Sequence, residues 1–346
     1  MAKALKFYIC LMIAWIRLVI VCKCLYIVTM LKAQDVHSSI NESNLQQLHP
    51  ASTGLFNGTH RFGLQYRSQW YQVPVSYKTV GCALDTKIIP WLGKNDRVGM
   101  GLSIQQDKAG DIGYSTSSVL FSGAYHYPFF TDTSASISFG LSTGIHQSRF
   151  NTSAMTFDAQ FDGLVFNPAL SSGEQFNTVQ GSYWDLNTGF VFRKRFLTHQ
   201  IVAAFGASHV NKPHVIFDNA ILARRYVITI QDQIRHSTHL TWYPALWIQM
   251  QGSNREWVPA VTAIIHSQHQ TAHYTGIQLA YRTRDALVLG FRYGTEKLLT
   301  AFSYDITLSN FKIASRYQGA FELQLVYCIP QQKFRIPNSV PCSAGF

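Results

Sequence analysis

Past residue 33 the chain has no apolar run long enough to cross a bilayer as a helix, which takes about 20 consecutive apolar residues. Charge is scarce as well: 14% of the 346 residues are Asp, Glu, Lys or Arg, against 47% hydrophobic. That balance excludes disorder, because disordered chains are rich in charge and poor in aromatics. Lys/Arg runs and aromatic–basic modules are missing, so nucleic acid is not an expected partner. Metal-ligand spacing is missing too. Cys10, Cys22 and Cys24 fall within the first 33 residues, and Cys82, Cys328 and Cys342 form no Cys-x-x-Cys pair. Cys328 and Cys342 could pair across a short C-terminal loop in an oxidising compartment, or remain two free thiols. No cofactor is expected.

The formal charge of +11 shrinks once the first 33 residues are set aside. Lys3, Lys6, Arg17, Lys23 and Lys32 all lie there, and the remaining surplus is scattered along the chain. This stretch has a basic start, an apolar run from Phe7 to Tyr26, and Leu31-Lys32-Ala33 ahead of Gln34-Asp35. That is the layout of a secretory signal peptide over 1–33. A membrane anchor is the competing reading, but Arg17 and Lys23 interrupt the run. No small residue precedes Cys22 or Cys24 as a lipoprotein cleavage site would require.

What is abundant is aromatic alternation, with 17 Tyr and 23 Phe. Phe62, Leu64 and Tyr66 alternate with Gly63, Gln65 and Arg67, the period of two that marks a strand with one apolar face. Trp70 keeps the even register, as a residue that could anchor at a membrane interface. The same alternation recurs around 98–105, 137–144, 277–281, 287–293 and 321–327. Further candidate strands are 76–87, 113–127, 183–196, 199–210, 233–242, 245–251, 257–266 and 297–307. The total is about fourteen. Residues 34–58 read as an extended segment ending in a turn, 59–330 as the strand region and 331–346 as a tail. The stretches 151–182 and 210–226 lack alternation and read as long loops.

A membrane strand needs about 9–11 residues, and the length from Gln34 onward leaves room for fourteen such strands with turns and loops. The fold expected is therefore all-β: a transmembrane antiparallel β-barrel, with the Phe62/Leu64/Tyr66 face toward outer-membrane lipid. Arg67, Gln69, Arg292, Asp305 and Glu322 would point into the lumen. A soluble β-sandwich is the alternative, since its second face is polar through contact with solvent. The strand number exceeds the usual sandwich, and charge is sparse on both faces.

Candidate chemistry is thin. His266, His269 and His273 sit where one strand gives way to the next, and offsets of three and four place residues on opposite faces. Exposed turn histidines explain them. His126, His146, Asp107 and Asp158 offer the residue types of a Ser-His-carboxylate hydrolase but no motif that groups them. No enzymatic activity is expected.

Several motifs, in order, resemble the PorP/SprF family of outer-membrane proteins of Bacteroidetes. They begin with His49-Pro50-Ala51 followed by Gly54, then Tyr66-Arg67-Ser68-Gln69-Trp70. Next come Arg97-Val98-Gly99-Met100-Gly101 and Asp107-Lys108-Ala109-Gly110, then Ser208-His209-Val210-Asn211-Lys212-Pro213. Ser303-Tyr304-Asp305 with Glu322-Leu323, and Val340-Pro341-Cys342 before Phe346, complete the series. His49 stands where the family usually has Asn, and Ser343-Ala344-Gly345 where Pro-Arg is common. The resemblance implies a part in type IX secretion and, in some members, in gliding motility. Implied partners are a secreted or surface protein with a type IX sorting domain, such as an adhesin, and other secretion components. It brings no catalytic residues. The alternative function is a diffusion channel for small solutes.

Overall fold

The computed structural model describes residues 35, 37–73, 76–88, 96–110, 113–129, 134–150, 155–174, 180–215, 221–267 and 273–330. The expected leader and tail, with Pro341 and Cys342, lie outside the described residues, as does any pairing of Cys328 with Cys342.

Fourteen strands run β1 (His60–Gln69), β2 (Tyr77–Ile88), β3 (Arg97–Ala109), β4 (Tyr114–Pro128), β5 (Ala135–Arg149), β6 (Gln180–Arg195) and β7 (His199–Ser208). They continue as β8 (Arg225–Arg235), β9 (Leu240–Gln251), β10 (Asn254–His266), β11 (Tyr274–Arg282), β12 (Ala286–Gly294), β13 (Leu298–Thr307) and β14 (Gln318–Ile329). Each pairs antiparallel with its sequence neighbours, and β1 pairs with β14 to close the barrel. Closure leaves no edge, so every strand meets its backbone hydrogen bonds inside the sheet, as a bilayer demands. No described helix is long and apolar enough to cross a membrane.

The alternation sorts faces as expected. On β1, Phe62, Leu64 and Tyr66 are exposed on the outer surface, while Arg61, Gln65 and Arg67 are buried in the lumen. Along β5, Ile137, Phe139 and Leu141 face outward, with Ser136, Ser138 and Ser142 inward and buried. The molecule is thus inverted relative to a soluble protein: its aromatic residues look out, and its buried side chains are mostly polar.

Two expectations need correction in the strand map. The expected strand 233–242 does not exist. A turn holds residues 236–239 instead, with the Ser237 hydroxyl accepting the N–H groups of His239 and Leu240. The true β8 begins at Arg225, inside the stretch expected to end a loop. Alternation missed it because its lumenal Val227 is apolar, making a continuous β-branched run of Val227-Ile228-Thr229-Ile230. Trp70 is the second correction. It leaves the strand at φ 53° and packs its ring against Tyr77 and Phe311, at 5.3 and 4.7 Å between ring centroids.

The segment before β1 was expected to be extended. It holds a four-residue helix, α1 (Leu45–Leu48), and a 3₁₀ turn (Pro50–Ser52), both inside the barrel. All connections after odd-numbered strands lie at one end, including those after β5 and β7. Residue 59 enters β1, and residue 330 leaves β14, at the other.

Candidate functional site

The lumen is occupied by the chain's own N-terminal segment, which runs from Asp35 at the end where β7 stops to Phe56 at the opposite mouth. Four small lumenal residues make room for it. A Cβ on Gly63 would meet the Ser43 carbonyl at 2.2 Å, and one on Gly99 the Thr53 carbonyl at 2.0 Å. One on Gly140 would lie 2.2 Å from the Ala51 nitrogen, and one on Gly206 would lie 1.9 Å from the Leu48 carbonyl. Glycine on the lumenal side is therefore a requirement of backbone meeting backbone.

Charged and polar side chains of the wall then hold the segment. Arg67 donates to Glu322 at 3.0 Å across the β1–β14 seam, and to Asp305 on β13 at 3.0 Å. Arg282 joins from β11, donating to Asp305 at 3.2 Å. Ser39 sits at the centre. Its hydroxyl donates to Asp305 at 2.7 Å and accepts from Arg67 and Arg282 at 2.8 and 2.9 Å. Its N–H donates to Glu322 at 2.8 Å. Gln324 extends the clamp by accepting from the Ser43 N–H at 2.9 Å and donating to the Ile40 carbonyl at 2.6 Å. Buried charges of this kind persist only when paired and hydrogen-bonded, which each of these is.

The His49-Pro50-Ala51-x-x-Gly54 motif is the second holding point. His49 is buried, with its Nε2 2.8 Å from the Thr229 hydroxyl. Pro50 opens the 3₁₀ turn, where its fixed φ suits a first helical position. Ala51 is fully buried and packs with Val191 and Ala204 in a small apolar cluster. Gly54, at φ +75°, faces Gly99 and donates its N–H to Asp85 at 2.7 Å. Asp85 in turn takes a two-pronged hydrogen bond from Arg61, both arms 2.8 Å. His126 lies 2.9 Å from the Thr53 carbonyl.

A third point tethers the start of the segment. His209, just beyond β7 at φ 57°, lies 2.7 Å from Asp35 and 3.0 Å from Asp185. Burial pulls its imidazole down, but the hydrogen bonds and charges of the two aspartates outweigh this and hold it at about 9. Burial likewise raises Asp35, yet His209 and Arg225 bring it down to about 2. His146 stands 3.3 Å from Asp185.

Of the motif residues singled out in the sequence, His49, Ala51, Gly54, Arg67, His209 and Asp305 meet at this segment. Tyr66 faces outward, against Phe321 on β14. Gln69 ends β1 half-buried, and Pro213 is buried in the connection after β7, where its carbonyl accepts the Leu222 N–H. Arg292 and Glu322 point inward as expected. Sequence reasoning missed Ser39, Asp85, Gln324 and the segment's course. The available signal was lumenal parity, which marks a charge as inward without naming what it meets.

Among the described residues, the four candidates His126, His146, Asp107 and Asp158 do not come together. His126 has the Ser138 hydroxyl at one ring nitrogen but a backbone carbonyl, not a carboxylate, at the other. Asp107 accepts from Thr79, and Asp158 sits in the connection after β5. Among the described residues no group of three or more His, Cys, Asp or Glu could hold a metal ion.

Several solved membrane barrels resemble the chain. The "CymD monoaromatic hydrocarbon channel" does so at 8% identity and a TM-score of 0.49, covering 86% of this chain and 96% of that one. The "TodX deltaS2S3 mutant monoaromatic hydrocarbon channel" stands at 12% and 0.47, with 84% and 97% covered. The toluene transporter TbuX of Ralstonia pickettii stands at 11% and 0.45, with 81% and 90% covered. No curated protein matches the chain in sequence. Residues 31–327, which span the lumenal segment, its clamps and nearly the whole barrel, match the family described as "Type IX secretion system membrane protein PorP/SprF", and the chain belongs to that family.

Proposed function

We propose that this protein is a non-enzymatic outer-membrane component of the type IX system that docks a secreted or surface partner, such as an adhesin with a sorting domain. The leader exports it, and the barrel sits in the outer membrane. The observation that carries the reading is that the chain's own N-terminal segment threads the lumen from one mouth to the other. A barrel closed by its own buried, charge-clamped segment is built to present surfaces. Long connections in such barrels face the cell exterior and short turns the periplasm. That rule puts the connections after β5 and β7 outside, where the partner would bind.

Deleting the gene in its host should leave a specific surface protein unexported or shed into the medium. An unchanged surface proteome would refute the reading. A diffusion channel is the competing function, and planar-bilayer recording separates the two. The docking barrel is expected to be electrically silent, whereas a steady open conductance would favour the channel.

A further inference from the structure

The N-terminal segment fills only part of the lumen. Between it and strands β9–β13 lies a cavity of about 390 Å³, within the range of ligand pockets of about 300–1,000 Å³. Its wall breaks the pattern of the barrel. Buried lumenal positions elsewhere are mostly polar, with scattered small or β-branched apolar residues such as Val191 and Val227, but here β9 presents Tyr243 and Trp247, and β10 presents Val258 and Ile264, side by side. Small residues, Ala245 and Ala260, lie between them and keep the space open. Apolar surface held away from other protein atoms forgoes about 25 cal/mol per Å² of burial, which an apolar occupant would recover.

Two guanidinium groups line the same cavity. Arg292 is 9% exposed and Arg282 2% exposed. Nη1 of Arg292 and Nε of Arg282 have no hydrogen-bond partner among the described residues. Their surroundings differ. Arg282 is met by Asp285, Asp305 and, at 3.7 Å, Glu256. Arg292 has one carboxylate, Glu42 of the N-terminal segment, and the neutral Gln278. Arg292 is therefore the less neutralised of the two and the better acceptor site for an anion.

We propose that this cavity binds a small organic monocarboxylic acid with an elongated apolar body. The carboxylate takes the Arg292 guanidinium in competition with Glu42. The body lies along Tyr243, Trp247, Val258 and Ile264, against Ile40 and Leu45 of the segment. The inference is independent of which partner the barrel docks.

The test is calorimetry on the full-length protein in fatty-acid-free lipid nanodiscs, with decanoate and decanol as probes. Decanoate is expected to bind saturably at one site and more tightly than decanol. Arg292→Gln should weaken decanoate about tenfold or more and leave decanol unchanged. Glu42→Gln, which removes the competing carboxylate, should tighten decanoate binding severalfold. Ala260→Trp, filling the cavity, should abolish binding of both, with the milder Val258→Phe as a second filler if the first does not fold. Folding of each variant is read by heat-shift electrophoresis. Absence of saturable decanoate binding, undiminished binding in a folded cavity-filling variant, or weaker binding in Glu42→Gln would each overturn the proposal.

Discussion

The two sides of the lumen solve the same problem differently. On the β1–β7 side, four lumenal glycines receive the backbone of the N-terminal segment: Gly63 receives Ser43, Gly99 Thr53, Gly140 Ala51 and Gly206 Leu48. On the β10–β12 side, lumenal glycines receive side chains of a neighbouring strand instead. Gly276 lies under the tip of Ile264, and Gly294 under the ring of Tyr274. The first arrangement is rigid because neither partner can retreat. The second has slack, because a side chain can rotate away. That slack also borders the cavity, so the half of the barrel that grips a chain and the half that leaves space are distinguishable from what their glycines meet.

The sharpest way to break this comparison is Gly140→Val. Its Cβ would collide with the Ala51 nitrogen, and overpacking of this kind costs roughly 1–3 kcal/mol or more. The segment should leave the lumen, seen as new planar-bilayer conductance and protease cleavage within residues 37–56. A silent, protected variant would show that the β1–β7 side is as compliant as the other.

Removing one member of the central clamp should come next. Arg67→Ala strands Asp305 and Glu322 as buried carboxylates with a lost partner, a change that typically costs about 3–5 kcal/mol. Urea denaturation monitored by tryptophan fluorescence should show a lowered midpoint. Restoring it with a second change, Glu322→Gln, would locate the cost in the stranded charge.

The tether at residue 35 should respond to pH. His209 is held at about 9, above its ordinary 6.5, so its contribution is complete below about 6.5 and is lost as pH rises through about 9. Asp35 is held at about 2, below its ordinary 3.8, so its contribution is complete above about 3.8 and is lost as pH falls through about 2. Hydrogen exchange of residues 37–43 should therefore be slowest between roughly pH 4 and 6.5 after correction for the intrinsic rate, and should quicken progressively as pH rises toward 9. Equal protection at pH 10 would show that the clamp alone fixes the segment.

The smallest effect is expected from Gly276→Ala. Its new methyl would clash only with the Ile264 tip, at 2.5 Å, which can change rotamer, while the Ala263 carbonyl and the Arg292 Cβ stay at 3.4 Å, so stability should move by less than about 1 kcal/mol. A loss as large as that of Gly140→Val would erase the distinction between the two sides.

Much of the fold was legible because a period of two reports which face of a strand meets lipid. Phe62, Leu64 and Tyr66 against Arg67 sufficed to assign outside and inside. Arg292, Asp305 and Glu322 followed by the same parity. Legibility failed where a lumenal residue is apolar, as at Val227, since alternation then vanishes although the strand remains. The candidate site was visible only as unconnected pieces. His49-Pro50-Ala51-x-x-Gly54 stood out as a motif, yet nothing local says that Ala51 will pack on Val191 or that Gly54 will face Gly99.

By itself, then, the sequence determined a fourteen-strand membrane barrel with a lipid face, a polar lumen and recognisable family marks. These depend on local periodicity and composition, which act over a few residues. Only the tertiary structure decided that residues 37–56 run through the lumen, that Ser39 bridges Asp305 and Glu322, and that space remains beside β9–β13. The physical reason is separation. Ser39 and Asp305 stand 266 positions apart and meet only because the closed sheet carries β13 and β14 back to β1.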